Sequence, residues 1–282
     1  MRLPLPGPAT RTPSRTVRRP LNIAHRGASD DAPENTLAAI RRAVCHGADM
    51  IEVDVQRTRD GALVLLHDTT LVRTTNVREV FPGRGPWRVA DFTRDELARL
   101  DAGSWKGSEF AGETVPTLTE ALEVISPSGS GLLLELKAPE LYPGVVSDVV
   151  AGLREHPDLV ASARSKGRLV VQSFGFAAMK ELKTLAPEVP VGLLGHPARE
   201  NLPALGSWAD QVNPNHFAVD RAYVDEVHRL GMECLVWTVN HSYLMRRALR
   251  AGVDGVITNR PTVLGRALTG RDAAGSNPGR VA

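Results

Sequence analysis

Short apolar segments alternate with amphipathic segments along most of the chain. Eight of the apolar segments are brief and rich in Val, Ile and Leu, which is typical of buried strands. They cover residues 22–25, 50–56, 132–137, 169–174, 191–194, 211–213, 234–239 and 255–258. The segments between them repeat apolar residues at helical spacing, in 36–46, 117–125, 145–155, 177–185, 202–208, 222–230, 243–250 and 262–268.

This alternation of strand and helix predicts a parallel sheet covered by its helices. Eight such units in a chain of 282 residues predict an α/β fold, a closed (β/α)8 TIM barrel. Glycines follow three of the predicted helices, at Gly47, Gly231 and Gly252, where a left-handed residue commonly ends a helix. An open doubly wound sheet is the alternative architecture.

One interval, residues 73–116, does not follow this rhythm. It is rich in Pro and Gly and has no clear strand–helix unit. Before it, residues 63–66 form a further apolar segment, which the turn at Asp60-Gly61 pairs with the second strand. We predict a small insertion between the second and third barrel strands, within one barrel domain that spans residues 21–270.

The ends of the chain differ from its body in composition. Residues 1–20 hold five arginines and no acid, so the remaining residues sum to 2 − 5 = −3 in net charge. We expect a disordered basic arm in 1–20 and a disordered tail in 271–282. The slightly acidic body argues against a nucleic-acid partner.

Location and redox state follow from simple features of the sequence. No apolar run reaches the ~18 residues of a membrane-spanning helix, so we expect no stable membrane insertion. Arg18-Arg19 lacks the apolar segment that would follow in an export signal, and a cytoplasmic location is the expectation. Cys45 and Cys234 lie in apolar patterns, which predicts two buried free thiols.

Candidate chemistry gathers where the predicted strands end, on the face that carries the active site in barrel enzymes. Glu52 and Asp54 are two apart on the second strand, so their side chains point to the same side. Glu135 adds a third acid from the next barrel strand. Close carboxylates repel unless a cation compensates, and oxygen ligands suit Ca²⁺ or Mg²⁺. The alternative is a set of structural ion pairs with Lys137 or Arg26.

Two histidines also lie at predicted strand ends, His25 after the first strand and His67 after the hairpin strand. Imidazole groups titrate near neutral pH, so one can accept a proton while the other donates one. The alternative is a pair of hydrogen-bonded core histidines. Arg26 and Lys137 can bind a phosphoryl group, the arginine through paired hydrogen bonds and the lysine as a point charge.

The ordered motifs of the chain resemble those of the glycerophosphodiester phosphodiesterase family over about residues 21–268. Any one motif is weak evidence, whereas their order along the chain is specific. The motifs are His25-Arg26-Gly27, Pro33-Glu34-Asn35-Thr36-Leu37, His67-Asp68, Arg73-Thr74-Thr75, Gly103-Ser104-Trp105, Leu134-Glu135-Leu136-Lys137, Gln172-Ser173-Phe174 and Trp237-Thr238-Val239-Asn240.

The resemblance implies a barrel enzyme that depends on one divalent cation, Ca²⁺ or Mg²⁺. It implies Glu52, Asp54 and Glu135 as the ligands of that ion. It further implies His25 and His67 as the acid–base pair of the reaction.

The resemblance also implies the substrate contacts. It puts Arg26 and Lys137 near the phosphate, and Trp237 is expected either to line the glycerol pocket or to pack in the core. We interpret the Pro-Glu-Asn-Thr run as mainly structural, with Glu34 steadying the first loop. The family often has Asp where this chain has Asn259, which removes a charge at the rim.

The function implied by the resemblance is metal-dependent hydrolysis of glycerophosphodiesters, small molecules, to sn-glycerol 3-phosphate and an alcohol. One alternative is a phospholipase C- or lysophospholipase D-like barrel enzyme that acts on lipid phosphodiesters. An alternative of another class is a non-catalytic phosphoester-binding protein, which we would expect to have lost a histidine or a metal acid. The nucleophile is either the 2-hydroxyl of the substrate or water.

Overall fold

A computed structural model describes residues 18–167 and 169–269. Eight parallel strands form a closed barrel, in which the pairing of the first and second strands completes the ring. This confirms the predicted (β/α)8 barrel. The strands in chain order, with the hairpin strand as the third, are β1 (Leu21–Ala24), β2 (Met50–Arg57), β3 (Leu63–Leu65), β4 (Gly131–Leu136), β5 (Leu169–Ser173), β6 (Val191–Leu194), β7 (Gln211–Asn213), β8 (Glu233–Val236) and β9 (Gly255–Thr258).

Helices cover the outside of the barrel, and most end within two residues of the predicted bounds. They are α1 (Leu37–Cys45), α2 (Val77–Val80), α3 (Arg94–Leu97), α4 (Leu118–Ser128), α5 (Val145–Arg154), α6 (Pro157–Lys166), α7 (Phe176–Leu185), α8 (Leu202–Leu205), α9 (Arg221–Arg229), α10 (Ser242–Ala251) and α11 (Pro261–Leu268). The sequence pattern did not predict α6, whose polar composition hides any periodicity. Its start agrees with Pro157 at the first helical position followed by an acid.

Two apolar layers hold the barrel together. Alternate residues of each strand point inward or outward, so neighbours such as Leu133 and Leu134 belong to different layers. The inner layer is small, and the outer layer packs the strands against the helices. The buried residues of the inner layer are Ile23, Met50, Leu133, Val170, Leu235 and Ile257. A filled interior leaves the ends of the strands as the place for a site.

The insertion between the second and third barrel strands is present as predicted. The strand β3 precedes it and pairs antiparallel with β2 through Val55 and Leu65, and the insertion itself contains α2 and α3. Thr93 and Glu96 form a capping box at the start of α3. A separate apolar cluster that includes Phe81 and Phe92 packs inside this segment, which therefore has its own small core.

Two further expectations have different outcomes. Cys234 is buried as predicted, but the prediction for Cys45 is wrong, because this residue lies on the exposed side of α1, whose buried face is formed by Ala39, Ile40 and Ala43. Apart from residues 18–20, the predicted arm and tail lie outside the described residues. In the described ranges, no helix is long and apolar enough to cross a membrane.

Candidate functional site

The predicted site residues meet at one end of the barrel. One cavity there is lined by seven of the eight, and Asp54, the eighth, is fully buried beside Glu52 and Glu135. The complete lining consists of His25, Arg26, Glu52, His67, Glu135, Lys137, Gln172, Phe174, Leu194, Trp237, Thr238 and Ile257. A larger cavity of about 280 Å³ lies between α9 and α10 and is lined by none of the predicted site residues.

The three acids form a compact cluster because of strand register. Parallel pairing of β2 and β4 puts Asp54 opposite Glu135. Glu52 precedes Asp54 by one strand period and therefore faces the same side. One carboxylate oxygen from each residue lies within 4.8 Å of the others.

Each acid of the cluster has one oxygen that the protein holds in place. The backbone N–H of Arg26 donates to Oε2 of Glu52 at 2.7 Å. The side-chain amide of Asn35 donates to Oδ2 of Asp54 at 2.8 Å, and Lys137 Nζ donates to Oε1 of Glu135 at 2.6 Å. Among the described residues, Oε1 of Glu52 and Oδ1 of Asp54 are buried without a hydrogen-bond partner.

Burial, followed by the charges of neighbouring groups, dominates the electrostatics of the cluster. Burial and the charge of Asp54 raise the pKa of Glu135 to about 7. Burial, with Asp54 and Glu135, likewise raises the pKa of Glu52 well above its ordinary value. Burial also opposes the charge of Asp54, but Arg26 and Lys137 hold its pKa below the ordinary value. Buried, repelling carboxylates with free oxygens fit a hard divalent cation.

The two cations of the site contact this cluster directly. Arg26 Nε lies 3.2 Å from Oδ2 of Asp54, and Lys137 Nζ lies 3.7 Å from Oδ1 of the same residue. The ion pairs that formed the alternative interpretation are therefore present. They do not exclude a bound cation, because among the described residues two carboxylate oxygens, Oε1 of Glu52 and Oδ1 of Asp54, still have no hydrogen-bond partner.

Both histidines are held through Nδ1. His25 Nδ1 lies 2.6 Å from Oδ1 of Asn259, and His67 Nδ1 lies 2.7 Å from Oδ1 of Asp68. In the described ranges, no hydrogen bond engages Nε2 of either ring, so these atoms are available to a ligand. Burial, reinforced by the charge of Arg26, lowers the pKa of His25 to about 4. At neutral pH this ring is uncharged.

Sequence reasoning missed three residues that orient the site. Asn35 holds Asp54 through its side-chain amide. The next residue, Thr36, caps α1 by accepting a hydrogen bond from the backbone N–H of Ala39. Asn259 holds His25 although 234 residues separate them. Asp68 holds His67, and the adjacency of these two in the sequence was a signal that pointed to it. Because Asn259 stands where the family often has Asp, the group that binds His25 is a neutral amide and not a carboxylate.

Apolar side chains form the other wall of the cavity. Trp237 and Phe174 meet edge to face, with ring centroids 5.8 Å apart. Trp237 Nε1 donates to the backbone oxygen of Asn213 at 2.7 Å, which fixes the indole. Phe174 is 56 % exposed at the mouth of the cavity. Trp237 thus lines the cavity and also packs against the inner layer of the barrel.

Comparison with known proteins identifies a family and several relatives that this chain resembles. The model of the "Glycerophosphoryl diester phosphodiesterase family" matches residues 25–263. A glycerophosphodiester phosphodiesterase of Caldanaerobacter subterraneus subsp. tengcongensis is 38 % identical over 248 residues, which cover 86 % of this chain and 96 % of the relative. A glycerophosphodiester phosphodiesterase of Bacillus subtilis is 33 % identical over 266 residues, 89 % of this chain and 87 % of the relative.

Solved structures give the same assignment. A phosphodiesterase of Oleispira antarctica, in complex with the product sn-glycerol-3-phosphate, is 35 % identical with a TM-score of 0.77 and covers 88 % of this chain and 96 % of its own. A putative glycerophosphoryl diester phosphodiesterase of Silicibacter pomeroyi is 31 % identical with a TM-score of 0.73, covering 88 % and 93 %.

Proposed function

The chain belongs to the glycerophosphoryl diester phosphodiesterase family, and we propose that it hydrolyses small glycerophosphodiesters to sn-glycerol 3-phosphate and an alcohol, with one divalent cation and two histidines. The family resemblance in the sequence is thereby confirmed, and the enzyme is a phosphoric diester hydrolase. One observation carries the finer proposal, namely that two histidines with free Nε2 atoms share a cavity with an acidic cluster in which two buried carboxylate oxygens lack hydrogen-bond partners.

The donor set supports Ca²⁺ or Mg²⁺ held by Glu52, Asp54 and Glu135. When bound, such an ion supplies positive charge that polarises the phosphoryl group and neutralises the carboxylates. The three carboxylates already lie close together, and one oxygen of each is held by a hydrogen bond, so little reorganisation is needed when an ion binds.

Arg26 and Lys137 bind the phosphoryl oxygens in this proposal. Both line the cavity, and both are held in place by acids of the cluster. Their charges are therefore oriented before substrate arrives, which is the arrangement that stabilises negative charge in a transition state.

The partners of the histidines divide the acid and base roles. The neutral side-chain amide of Asn259 holds His25 through Nδ1, and the low pKa of His25 keeps Nε2 unprotonated. His25 therefore accepts the proton of the attacking hydroxyl. A carboxylate holds His67 and can accept a hydrogen bond from the protonated ring, so His67 donates a proton to the leaving alcohol oxygen. As the bond from phosphorus to the attacking oxygen forms, the bond to the leaving oxygen breaks. The attacking hydroxyl belongs to water, or to C2 of the substrate's glycerol, in which case water then opens the resulting cyclic phosphate to give sn-glycerol 3-phosphate.

The apolar wall faces the carbon-bound part of the substrate. Trp237 and Phe174 offer ring surfaces against which the C–H groups of glycerol can pack. The product bound by the Oleispira antarctica relative, sn-glycerol-3-phosphate, supports a pocket for this group.

A substrate panel tests the proposal. Glycerophosphodiesters with choline, ethanolamine and glycerol alcohols, and the corresponding lysolipids, would be assayed with and without a chelator. We expect turnover of the small diesters, loss with chelator, and recovery with Ca²⁺ or Mg²⁺. Preference for the lysolipids would favour the lipid phosphodiesterase, and binding without turnover would favour the non-catalytic protein.

A further inference from the structure

Arg73, the first residue of the insertion, donates hydrogen bonds to two carboxylates at once. Its Nη1 and Nη2 lie 2.8 and 2.7 Å from the two oxygens of Glu34. Its Nε and Nη2 lie 2.8 and 3.0 Å from the two oxygens of Asp68. One guanidinium thus forms paired hydrogen bonds with both acids.

Each of these acids also holds a residue of the site. Asp68 Oδ1 lies 2.7 Å from Nδ1 of His67, and Glu34 Oε1 accepts from Nη1 of Arg26 at 2.8 Å. A continuous chain of hydrogen bonds therefore joins His67 to Arg26, with Arg73 in its middle. The Arg73-Thr74-Thr75 motif has no other role in the proposed function.

We propose that Arg73 is a positioning residue that fixes the orientation of His67 and of Arg26 together, through Asp68 and Glu34. The inference rests on the proposed function, in which His67 donates the proton and Arg26 binds the phosphate. Arg73 itself touches neither of these groups. It acts by holding two carboxylates whose other side-chain hydrogen bonds are those to His67 and Arg26.

The chemistry of the guanidinium suits this task. Its planar fork presents donors along two edges, whereas a lysine ammonium is a point charge that cannot form two paired contacts. Hydrogen bonds from Arg73 hold the pKa of Asp68 far below its ordinary value. They also hold the pKa of Glu34 low against the effect of burial. Both acids therefore remain charged and able to bind their partners.

A purely structural role is the competing explanation, in which Arg73 fastens the insertion to the barrel. The insertion has other attachments that do not involve Arg73. Lys106 Nζ donates to the backbone oxygen of Ser29 at 2.8 Å, and Ala38 N–H donates to Glu113 at 3.3 Å. The Arg73 side chain is 44 % exposed, and ion pairs with such exposure add little to stability. We expect the loss of Arg73 to affect catalysis more than folding.

The test compares Arg73→Ala and Arg73→Lys with Arg84→Ala. Arg84 is a matched control, because it is also a half-exposed arginine of the insertion, paired with Glu96 at 2.6 Å and stacked on Phe92, and it does not line the cavity. The measurements are kcat/KM for a choline diester and for a nitrophenyl diester of glycerol phosphate, and the melting temperature. The nitrophenolate leaves without a proton, so it reports on the general acid.

We expect Arg73→Ala to lower kcat/KM for the choline diester by about 10²-fold, which is the lower end of general acid–base effects. For the nitrophenyl diester the loss should be only about tenfold, because its leaving group needs no proton. Arg73→Lys should lose nearly as much kcat/KM as Arg73→Ala, because an ammonium cannot form both paired contacts. Arg84→Ala should leave the ratio of the two substrates at the wild-type value. Equal losses on both substrates with a lowered melting temperature, or no loss at all, would overturn the inference.

A second pair of measurements separates this inference from the proposed function. Combining Arg73→Ala with Asp68→Asn should cost little more than the worse single change, since both break the same chain. Independent of activity, the Nδ1 proton of His67 should lose its downfield NMR resonance in Arg73→Ala and keep it in Arg84→Ala. If the wild-type protein were inactive, this resonance would still decide: its persistence in Arg73→Ala rejects the positioning role, and its loss supports it.

Discussion

The substitution Asn259→Asp tests the base role of His25 directly. It replaces a neutral oxygen 2.6 Å from Nδ1 of His25 with a charged one of nearly the same shape. The new carboxylate favours the protonated ring, so the pKa of His25 should rise from about 4. The base must be unprotonated to act, and the acidic limb of kcat/KM against pH should therefore move to higher pH.

The size of the shift follows from the geometry. Two unit charges about 4 Å apart interact with about 4 kcal/mol at an effective dielectric constant of ~20. This corresponds to about three pKa units at 1.36 kcal/mol each, and adjacent opposite charges commonly shift a pKa by about 1–3 units. Asn259 is only half-buried, and solvent screening favours the lower part of that range. We expect the limb to move up by about 1–2 units.

The assay is initial rate against pH at saturating cation, so that titration of the acidic cluster affects both proteins equally. At pH 5 the Asn259→Asp enzyme should be slower than wild type, and at pH 8 it should retain its activity. Asn259→Ala is the control, because it removes the oxygen without adding charge and should lower activity without moving the limb upward. An unmoved limb in Asn259→Asp would refute His25 as the base.

Three further outcomes are expected. Glu52→Gln and Asp54→Asn should each lower turnover by about 10²-fold or more. The melting temperature without metal should stay level or rise in Glu52→Gln, because burial and repulsion already disfavour the charge of Glu52, and should fall in Asp54→Asn, because Arg26 and Lys137 lose their partner; a fall in Glu52→Gln as large as that in Asp54→Asn would contradict this. Ca²⁺ or Mg²⁺ should raise the melting temperature more at pH 8 than at pH 6, because Glu135, with a pKa raised to about 7, binds protons that compete with the ion at the lower pH; equal shifts at both pH values would be inconsistent with that competition. His25→Ala and His67→Ala should each lose about 10²-fold or more in turnover of alkyl diesters, and the double variant should be little worse than the poorer single variant. A nitrophenyl substrate should restore the activity of His67→Ala only, because its leaving group needs no proton. Restored activity in His25→Ala would reverse the assignment of acid and base.

The fold could be predicted because its determinants are local. Strand and helix periodicity, with glycines such as Gly47 and Gly252 in left-handed conformation after helices, marks each unit. The helix α6 escaped prediction because its composition is polar throughout. Cys45 was misplaced because it closes α1, where one residue of rotation separates the buried face from the exposed face.

The site could be predicted only in part, for a related reason. Residues that point into the cavity lie within strands or directly after them, so Glu52, Asp54 and Glu135 were visible as acids in otherwise apolar strand patterns. The residues that orient them follow from tertiary structure. No spacing in the sequence relates Asn259 to His25, and their contact exists because pairing of β1 with β9 brings the two strand ends together.

Charge balance explains why acids and bases crowd this end of the barrel. Three ionised carboxylates with Arg26 and Lys137 sum to −1, which would repel a phosphodiester of the same sign. The raised pKa values of Glu52 and Glu135 show that protons bind the cluster readily in the absence of an ion. A bound divalent cation would displace those protons and change the sum to +1, which would attract the substrate. By the same balance, Arg73 offsets one of the two negative charges that Glu34 and Asp68 bring beside the phosphate.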